Sequence, residues 1–267
     1  MRLIRTLFIA AAGALAAVGF ASAAGEYRKP EPFTFSFDGP FGTFDRGAMQ
    51  RGFYVYQQVC AACHTLEHLS IRHLGQRGGP FYDPAHPNPN DNPVVRAIAA
   101  EYIVEDGPDE YGDMFERPGR PSDGFPAPYA NEQQGRAANN GAYPPDLSII
   151  TRARHYGAPY LRSLMLGYDE EAPDHIELRP GLYYNPYFPG ELIAMPPQLL
   201  DGLLEYADGT EATPEQMAYD LTVFLHWASD PHMEQRKQLG LMVMLYLIIL
   251  CGLLYATYRQ IWRKVEH

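Results

Sequence analysis

The chain contains 267 residues, which is long enough for one large domain or two smaller ones. It carries 32 acidic and 21 basic side chains and therefore a formal net charge of −11. This charge makes nucleic acid a poor candidate partner, because phosphate contacts need clustered Lys and Arg. An acidic surface suits a basic protein partner or serves solubility alone, and net charge does not separate the two. The 24 Gly and 24 Pro residues predict long loops.

The N-terminus has the pattern of a secretory signal peptide. Arg2 and Arg5 precede an apolar stretch that runs from about Leu7 to Phe20, and the small residues Ala-Ser-Ala follow. This order of basic, apolar and small residues predicts a signal peptide over residues 1–23 and export of the remaining chain. An uncleaved N-terminal anchor is the alternative.

The first folded segments are expected downstream of this leader. Phe33, Phe35 and Phe37 alternate, which indicates a short extended segment. Asp45 is a suitable N-cap for a helix that leads into the cysteine motif at residues 60–64. This helix has one apolar face, which we interpret as core packing. The face consists of Met49, Phe53, Tyr56 and Val59.

Residues 60–64 read Cys-Ala-Ala-Cys-His, a spacing typical of covalent c-type haem attachment. On a helical backbone, Cys60 and Cys63 lie on one face, so each sulfur can reach one haem vinyl group. His64 then offers an imidazole nitrogen to the iron. A redox disulfide and half of a zinc site are the alternatives, but the appended histidine and the lack of a second cysteine pair argue against both. The third cysteine, Cys251, lies in an apolar run near the C-terminus.

Loops dominate the region between residues 67 and 128. Within it, Asn92 and Pro93 form the cap and first turn of a helix that we expect to reach about Val104. An acidic tract overlaps the end of this helix. We interpret the tract as a solvated face, with a docking surface for a basic electron carrier as the alternative. Its members are Glu101, Glu105, Asp106, Asp109, Glu110, Asp113 and Glu116.

Three further helices are expected before residue 230. Pro145 or Asp146 lies in the first turn of a helix that ends before Gly157. A short helix over residues 159–167 follows it. The third helix covers residues 213–229 and has a Thr cap, Pro at the first position and Gln at the third.

Residues 181–197 form an aromatic, proline-stiffened loop that ends with Met195 and two prolines. A low-spin haem needs a second axial ligand opposite His64, and a methionine sulfur raises its reduction potential relative to histidine. Met195 is favoured because the following prolines restrict its backbone. The residues alone leave the other methionines and the remaining histidines open. Those methionines are Met49, Met114, Met165, Met217 and Met233.

Residues 239–258 carry no charged side chain. At about 1.5 Å per residue they span about 30 Å, the thickness of the hydrocarbon core of a bilayer. Basic residues at 259, 263 and 264 follow, and such residues favour the cytoplasmic side. The expected divisions are a signal peptide at 1–23, an exported haem domain at 24–232, an anchor helix at 233–259 and a cytoplasmic tail at 260–267.

A series of short motifs runs along the chain in a fixed order. They are RGFxVYxxVC at 51–60, CAACH at 60–64, RHL at 72–74, DGP at 106–108, MFxRPG at 114–119, RAANNGA at 136–142, PPDLS at 144–148, RARH at 152–155 and YNPYFPG at 184–190. Together with the terminal anchor, this series resembles the cytochrome c1 family, the haem-bearing subunits of cytochrome bc1 complexes. The resemblance covers essentially the whole mature chain, although residues 76–100 and 169–179 match poorly.

The resemblance implies a mainly α fold, in which an elaborated c-type cytochrome domain with long Pro- and Gly-rich loops is joined to one C-terminal transmembrane helix. It also implies one covalently attached haem c, held by Cys60 and Cys63, with His64 and Met195 as axial ligands. By motif position, the family places further residues around the haem. These are Asn139, Pro144 and Pro145 against the ring, Arg154 near a propionate, and Tyr160 in the same pocket.

The function implied by the resemblance is electron transfer without a general acid or base. The chain would accept electrons from a Rieske iron–sulfur protein and pass them to a cytochrome c, as a subunit of a proton-translocating quinol:cytochrome c oxidoreductase. Cytochrome b, membrane lipid and a dimeric complex are the other implied partners, and the expected location is the inner membrane with the haem domain on the periplasmic side. A stand-alone membrane-tethered electron carrier and a haem peroxidase with an open iron site are the competing hypotheses.

Overall fold

The computed structural model describes residues 27–168, 171–174 and 176–264 and is dominated by helices. The predicted signal peptide lies outside the described residues. The predicted fold class, mainly α with one long apolar C-terminal helix, is confirmed. The α-helices are α1 (Arg46–Val55), α2 (Pro93–Ala100), α3 (Glu132–Ala138), α4 (Ile150–Ala153), α5 (Gly157–Leu166), α6 (Pro214–Ser229) and α7 (Met233–Trp262). Short 3₁₀ helices cover Ile71–Gly75 and Pro89–Asp91, and two antiparallel pairs join β1 (Ile103–Asp106) to β2 (Phe115–Pro118) and β3 (Tyr183–Tyr184) to β4 (Leu192–Ile193).

Helix α1 begins where the sequence predicts. The Asp45 side chain accepts a hydrogen bond from the Ala48 amide at 3.0 Å, which satisfies a backbone donor of the first turn. The buried face of α1 includes Met49 and Phe53 from the predicted apolar stripe. The backbone then widens into a π-helix over Tyr56–Cys60, a feature that the sequence did not predict and that is frequent at functional sites. The cysteine motif therefore starts on this wider turn.

Helix α1 packs on α6, whose side chains are buried on most sides. As predicted, Thr213 caps α6 by accepting a hydrogen bond from the Gln216 amide at 3.2 Å. At Gly52 the two backbones come so close that an added Cβ would lie 2.0 Å from the carbonyl oxygen of Asp220. Arg51 donates to both carboxylate oxygens of the buried Asp220, at 2.9 and 3.0 Å. Because an unpaired buried carboxylate is costly, this bidentate pair ties the two helices together.

The aromatic segment before α1 packs on the core with irregular backbone. Phe35 and Phe37 are buried, and their ring centroids lie 4.9 Å apart in a stacked arrangement. Phe37 also stacks on His226 of α6, with 4.1 Å between ring centroids. On its other side, His226 Nδ1 lies 3.1 Å from the hydroxyl oxygen of Thr151 in α4. His226 therefore joins the N-terminal segment, α4 and α6.

The helix predicted over residues 93–104 ends early, at Ala100, although its predicted cap and first turn are present. Val104 instead pairs with Arg117 in the hairpin of β1 and β2. The β-branched residues at 103 and 104 favour a strand once a partner strand is available. The Arg117 guanidinium also pairs with Asp106 of the predicted acidic tract and with Asp123 outside it, so one member of the tract is in an ion pair.

The helix predicted from Pro145 or Asp146 to the residue before Gly157 is wrong in its extent, because only Ile150–Ala153 are helical in α4. The Asp146 side chain accepts hydrogen bonds from a distant loop, which holds the preceding residues in an irregular conformation. Tyr156 adopts the left-handed region with φ of 66°, which separates α4 from α5. Gly157 therefore begins α5 rather than following the end of α4.

Helix α7 contains the whole charge-free stretch of residues 239–258, most of whose side chains are exposed. Exposed apolar side chains on a helix of this length fit lipid surroundings better than water. Just before α7, Asp230 accepts hydrogen bonds from Arg236 and from Arg152 of α4. The start of the anchor helix is thus tied to the body of the domain.

Gly52→Ala is expected to lower the free energy of unfolding by about 3 kcal/mol, because overpacking against a backbone carbonyl cannot be relieved by rotating a side chain. The loss is measured by thermal or urea unfolding of the full chain in detergent, followed by circular dichroism. Gly47→Ala is the matched control in the same helix. There an added Cβ would meet only the ends of the Asp45 and Arg51 side chains, at 3.3 and 3.4 Å. Equal losses in the two variants would contradict the proposed backbone contact.

His226 is expected to make stability depend on pH. Burial, reinforced by nearby Arg152, lowers the pKa of His226 to about 4. Between about pH 6.5 and 4 the unfolded chain binds this proton and the folded chain does not, so stability falls as the pH drops through this window. His226→Gln removes the titrating group and loses the ring stacking. The difference in melting temperature between wild type and His226→Gln should therefore become smaller as the pH is lowered from 7 to 4.5. A difference that stays constant with pH would argue against a lowered pKa of His226 in the folded chain.

Candidate haem-binding site

Cys60 is the last residue of the π-helix, and Cys63 and His64 lie in the tight turn that follows it. The amides of Cys63 and His64 both donate to the carbonyl oxygen of Cys60, at 3.0 and 2.9 Å. Cys60 is buried, whereas Cys63 and His64 are half-buried. Neither thiol is in a disulfide, and burial raises the pKa of Cys60 to about 12. The turn therefore combines two unpaired thiols with an adjacent imidazole.

The His64 imidazole is held in one tautomer. Its Nδ1 lies 2.8 Å from the carbonyl oxygen of Pro145. Because a carbonyl oxygen only accepts, this contact requires the proton on Nδ1 and leaves the lone pair of Nε2 free. Burial also lowers the pKa of His64, which favours the neutral ring. A neutral imidazole whose other nitrogen donates to a carbonyl is the form that commonly ligates metals.

Side-chain hydrogen bonds join the loop after His64 to the loop after Pro145. The carboxylate of Asp146 accepts from the Thr65 hydroxyl and from the Glu67 amide, both at 2.8 Å. The amide of Leu147 donates to the carbonyl oxygen of Thr65 at 2.9 Å. These bonds fix the two loops against each other and so keep the Pro145 carbonyl in place on the histidine.

Asn139 lies close to the cysteine motif through an intervening tyrosine. Its Nδ2 donates to the hydroxyl oxygen of Tyr129 at 2.9 Å and to the carbonyl oxygen of Gly135 at 2.7 Å. The Tyr129 hydroxyl in turn interacts with the thiol of Cys63. The structure thus brings Asn139 and Cys63 together. Of the two adjacent prolines before Asp146, Pro144 is half-buried and Pro145 is exposed.

Arg154, Tyr160 and Met195 form a second group. Tyr160 is 4% exposed, and its hydroxyl interacts with the exposed guanidinium of Arg154. Met195 is half-buried and packs both on the small apolar cluster that contains Tyr160 and on the larger core that contains Cys60. The Tyr168 hydroxyl donates to the carbonyl oxygen of Met195 at 3.0 Å, which fixes the loop at that residue. Met195 therefore lies where the small cluster around Tyr160 adjoins the main core.

The other candidate methionines have different surroundings. Met114 is 55% exposed and directly precedes β2. The other four are buried in the apolar core; they are Met49, Met165, Met217 and Met233. Core methionines fill space, and an exposed one has no enclosed site around it. Met195 alone among the six combines half-burial with a fixed loop position.

These residues fit a c-type haem. Thioether attachment needs two unpaired thiols at the spacing of Cys60 and Cys63, and the iron needs a neutral imidazole, as at His64. The thioether of Met195 is the kind of soft ligand found opposite that histidine in c-type cytochromes. Across the described ranges, no group of three or more His, Cys, Asp or Glu side chains lies together as an alternative metal cluster.

Sequence reasoning missed three residues that hold this arrangement, namely Tyr129, Asp146 and Tyr168. Asp146 had a local signal, since an Asp two residues before a Ser often forms a side-chain turn, and here it accepts from the Ser148 amide at 2.9 Å. The two tyrosines had none. Their partners lie 10 and 27 residues away in the chain, and only the folded structure brings them together.

A family model described as the Cytochrome C1 family matches residues 35–265. The chain is 39% identical over 278 residues to a Rhodospirillum rubrum protein named cytochrome c1, a match that covers 97% of each chain. It is 43% identical over 238 residues to a Candida albicans protein named cytochrome b-c1 complex catalytic subunit, mitochondrial, which covers 89% of this chain and 79% of that protein. It is also 47% identical over 252 residues to a Bradyrhizobium diazoefficiens protein named cytochrome b/c1, of which this chain spans only 36%.

The family match includes the cysteine motif, the loop that carries Pro145, the loop that carries Met195 and the apolar part of α7. The nearly full-length match to the R. rubrum protein extends over the same elements. On both grounds, this chain belongs to the cytochrome c1 family.

Proposed function

We propose that this chain is the electron-transfer haem subunit of a cytochrome bc1 complex. In this role the chain accepts electrons from a Rieske iron–sulfur protein and passes them to a cytochrome c. The enzyme is the whole complex, a proton-translocating quinol:cytochrome c oxidoreductase, and the chain alone is an electron carrier. The observation that carries the proposal is the 2.8 Å contact between His64 Nδ1 and the Pro145 carbonyl, which leaves Nε2 available beside two unpaired thiols.

In this proposal Cys60 and Cys63 would hold one haem c through thioether bonds, and His64 and Met195 would ligate its iron. When bound, the haem supplies a one-electron iron couple. The chain's own residues set the properties of that couple. Met195 provides a sulfur ligand, which favours a higher reduction potential than a second histidine does. The hydrogen bond from Tyr168 to the Met195 carbonyl limits the movement of that ligand.

The remaining site residues serve to enclose and orient the haem. Pro145 supports the histidine through its carbonyl, and Asn139 is linked to the cysteine motif through Tyr129. Asn139, Pro144 and Pro145 would lie against the haem ring. Tyr160 is buried next to Met195, and the guanidinium of Arg154 beside it offers a positive charge to a propionate. The proposed electron transfer between this chain and its donor and acceptor proteins needs no proton transfer, so none of these residues is assigned an acid or base role.

The proposed partners follow from the anchor helix and from the names of relatives. Helix α7 supports attachment to a membrane, and the sequence of residues 1–23 supports export of the haem domain to the periplasmic side of the inner membrane. The tail at 260–267 then lies in the cytoplasm. One relative is named cytochrome b/c1 and another a subunit of a cytochrome b-c1 complex. These names favour cytochrome b as the membrane partner, within a complex that we take to be dimeric.

Met195→Leu is expected to leave the haem covalently attached and to lower its reduction potential substantially, because a sulfur ligand is replaced by an alkyl side chain. Attachment is checked by haem staining of the denatured chain, and the potential by redox titration in detergent. Met165→Leu, at a core methionine of similar size, is the matched control and should leave the potential unchanged. A reduction potential in Met195→Leu equal to that of the wild type would contradict the assignment of Met195 as an iron ligand.

The function is tested by a reduced-minus-oxidised optical spectrum of the tagged protein purified from its native membrane in mild detergent. Co-purification of b-type haem bands with the c-type band is the expected result, since the chain is proposed to be bound to cytochrome b. A c-type band alone, at full haem occupancy and in repeated preparations, would favour a stand-alone carrier. An open, five-coordinate c-type spectrum with peroxidase activity would favour the enzyme alternative.

A further inference from the structure

Residues 37–44 form a loop that lies beside the start of the anchor helix α7. We refer to it as the Phe41 loop. A cleft of about 170 Å³ separates the loop from the helix, and its lining includes Phe41, Lys237 and Leu241. The Phe41 side chain is 77% exposed. An aromatic side chain so exposed is unusual for a water-facing loop, although a single one is not by itself evidence of a binding surface.

The loop is fastened to α7 by three polar contacts. Lys237 Nζ donates to the carbonyl oxygens of Phe37 and Gly42, at 2.6 and 3.2 Å. One turn earlier, the carboxylate of Glu234 accepts from the Phe44 amide at 2.7 Å. Because both ends of the loop are bound to the same helix, the height of the Phe41 loop along α7 is fixed.

The loop is also compact within itself. An added Cβ at Gly42 would lie 2.1 Å from the carbonyl oxygen of Asp38, so the chain doubles back closely at this point. The amide of Thr43 donates to the carbonyl oxygen of Ser36 at 3.0 Å and closes the base of the loop. The exposed ring at the tip therefore stands on a rigid support.

The position of the loop along α7 places its tip at the membrane surface. The charge-free stretch of α7 begins at residue 239 and has the length of the hydrocarbon core. With a rise of about 1.5 Å per residue, Leu241 lies about 3 Å inside that boundary. The cleft that Phe41 lines extends from Lys237, about 3 Å on the water side of the boundary, to Leu241 on its apolar side. Phe41 is therefore level with the interface between headgroups and acyl chains.

We propose that the Phe41 loop is a second membrane contact, in which the Phe41 ring inserts into the interfacial layer of the phospholipid bilayer next to α7. The occupant of this surface is lipid, because the surface is continuous with the membrane-spanning part of α7 and because Phe is among the residues that interfacial segments bury at the boundary between headgroups and acyl chains. Glu234 and Lys237 flank the cleft and are engaged with loop backbone, so the contact rests on the ring rather than on a charged headgroup. Together with α7, the loop fixes the tilt of the domain on the membrane.

The proposal is tested by spin-label accessibility in the full-length haem protein, reduced and reconstituted in phosphatidylcholine nanodiscs. Cys251→Ser is the background, and it should take up no label. Labels are placed at Phe41→Cys, at Leu245→Cys inside the span and at Tyr111→Cys, an exposed aromatic position in the loop between β1 and β2. The label at position 41 should collide severalfold more often with oxygen than with a water-soluble nickel chelate. Its ratio should lie between those at 245 and 111.

A second pair of variants keeps the native ring. Thr43→Cys is labelled with Phe41 intact and with Phe41→Asp. The Asp variant should shift the label toward the chelate, because an ionised side chain leaves acyl-chain surroundings for water. An unchanged haem spectrum reports that the Asp variant is folded. A ratio of oxygen collisions to chelate collisions at position 41 equal to the ratio at position 111 would overturn the proposal. Low collision with both reagents in the purified complex would also overturn it, since a protein surface rather than lipid would then cover the loop.

Discussion

The close approach of α1 and α6 at Gly52 is the contact on which the rest of the structure depends. A residue without a side chain lets the two backbones meet, and Arg51 beside it pairs with the buried carboxylate of Asp220. The cysteine motif directly follows α1, so its position is set by this packing. The other end of α6 carries His226 and Asp230, which contact α4 and the anchor helix. A single helix contact therefore orients both the candidate haem site and its attachment to the membrane.

The site itself is assembled mainly from loops, and hydrogen bonds between them fix their conformation. Each polar bond between loops is worth only about 1 kcal/mol, but a buried amide or carbonyl left without a partner costs more. Asp146 meets this requirement by accepting from the Thr65 hydroxyl, the Glu67 amide and the Ser148 amide. Several weak bonds on one side chain thus hold the Pro145 carbonyl against His64. A proline-rich segment of this kind is stabilised by its contacts rather than by regular secondary structure.

Local signals in the sequence predicted those features that depend on neighbouring residues. The caps at Asp45 and Thr213 and the charge-free stretch of α7 are of this kind, and each is present. The helices predicted at 93–104 and at 145–156 are too long, because strand pairing with Arg117 and the bonds to Asp146 compete with helix formation.

The candidate site divides in the same way. The spacing of Cys60, Cys63 and His64 is local, so the motif could be read directly from the sequence. The residues alone could favour Met195 but not separate it from five other methionines, since its distinguishing features are contacts. Its packing on two apolar clusters and the hydrogen bond from Tyr168 both arise from segments far apart in the chain.

Two independent sets of contacts fasten the domain to α7, and their arrangement bears on electron transfer. On one side Lys237 and Glu234 hold the Phe41 loop, and on the other Arg236 reaches α4 through Asp230. Helix α4 directly follows the loop that carries Pro145, so the second set leads back to the His64 side of the site. A domain held at two points cannot swing freely about the start of its anchor. Under the proposed function, this restraint would keep the distance between the haem site and the membrane surface constant, so that the electron donor and the acceptor cytochrome c would meet the site at reproducible separations.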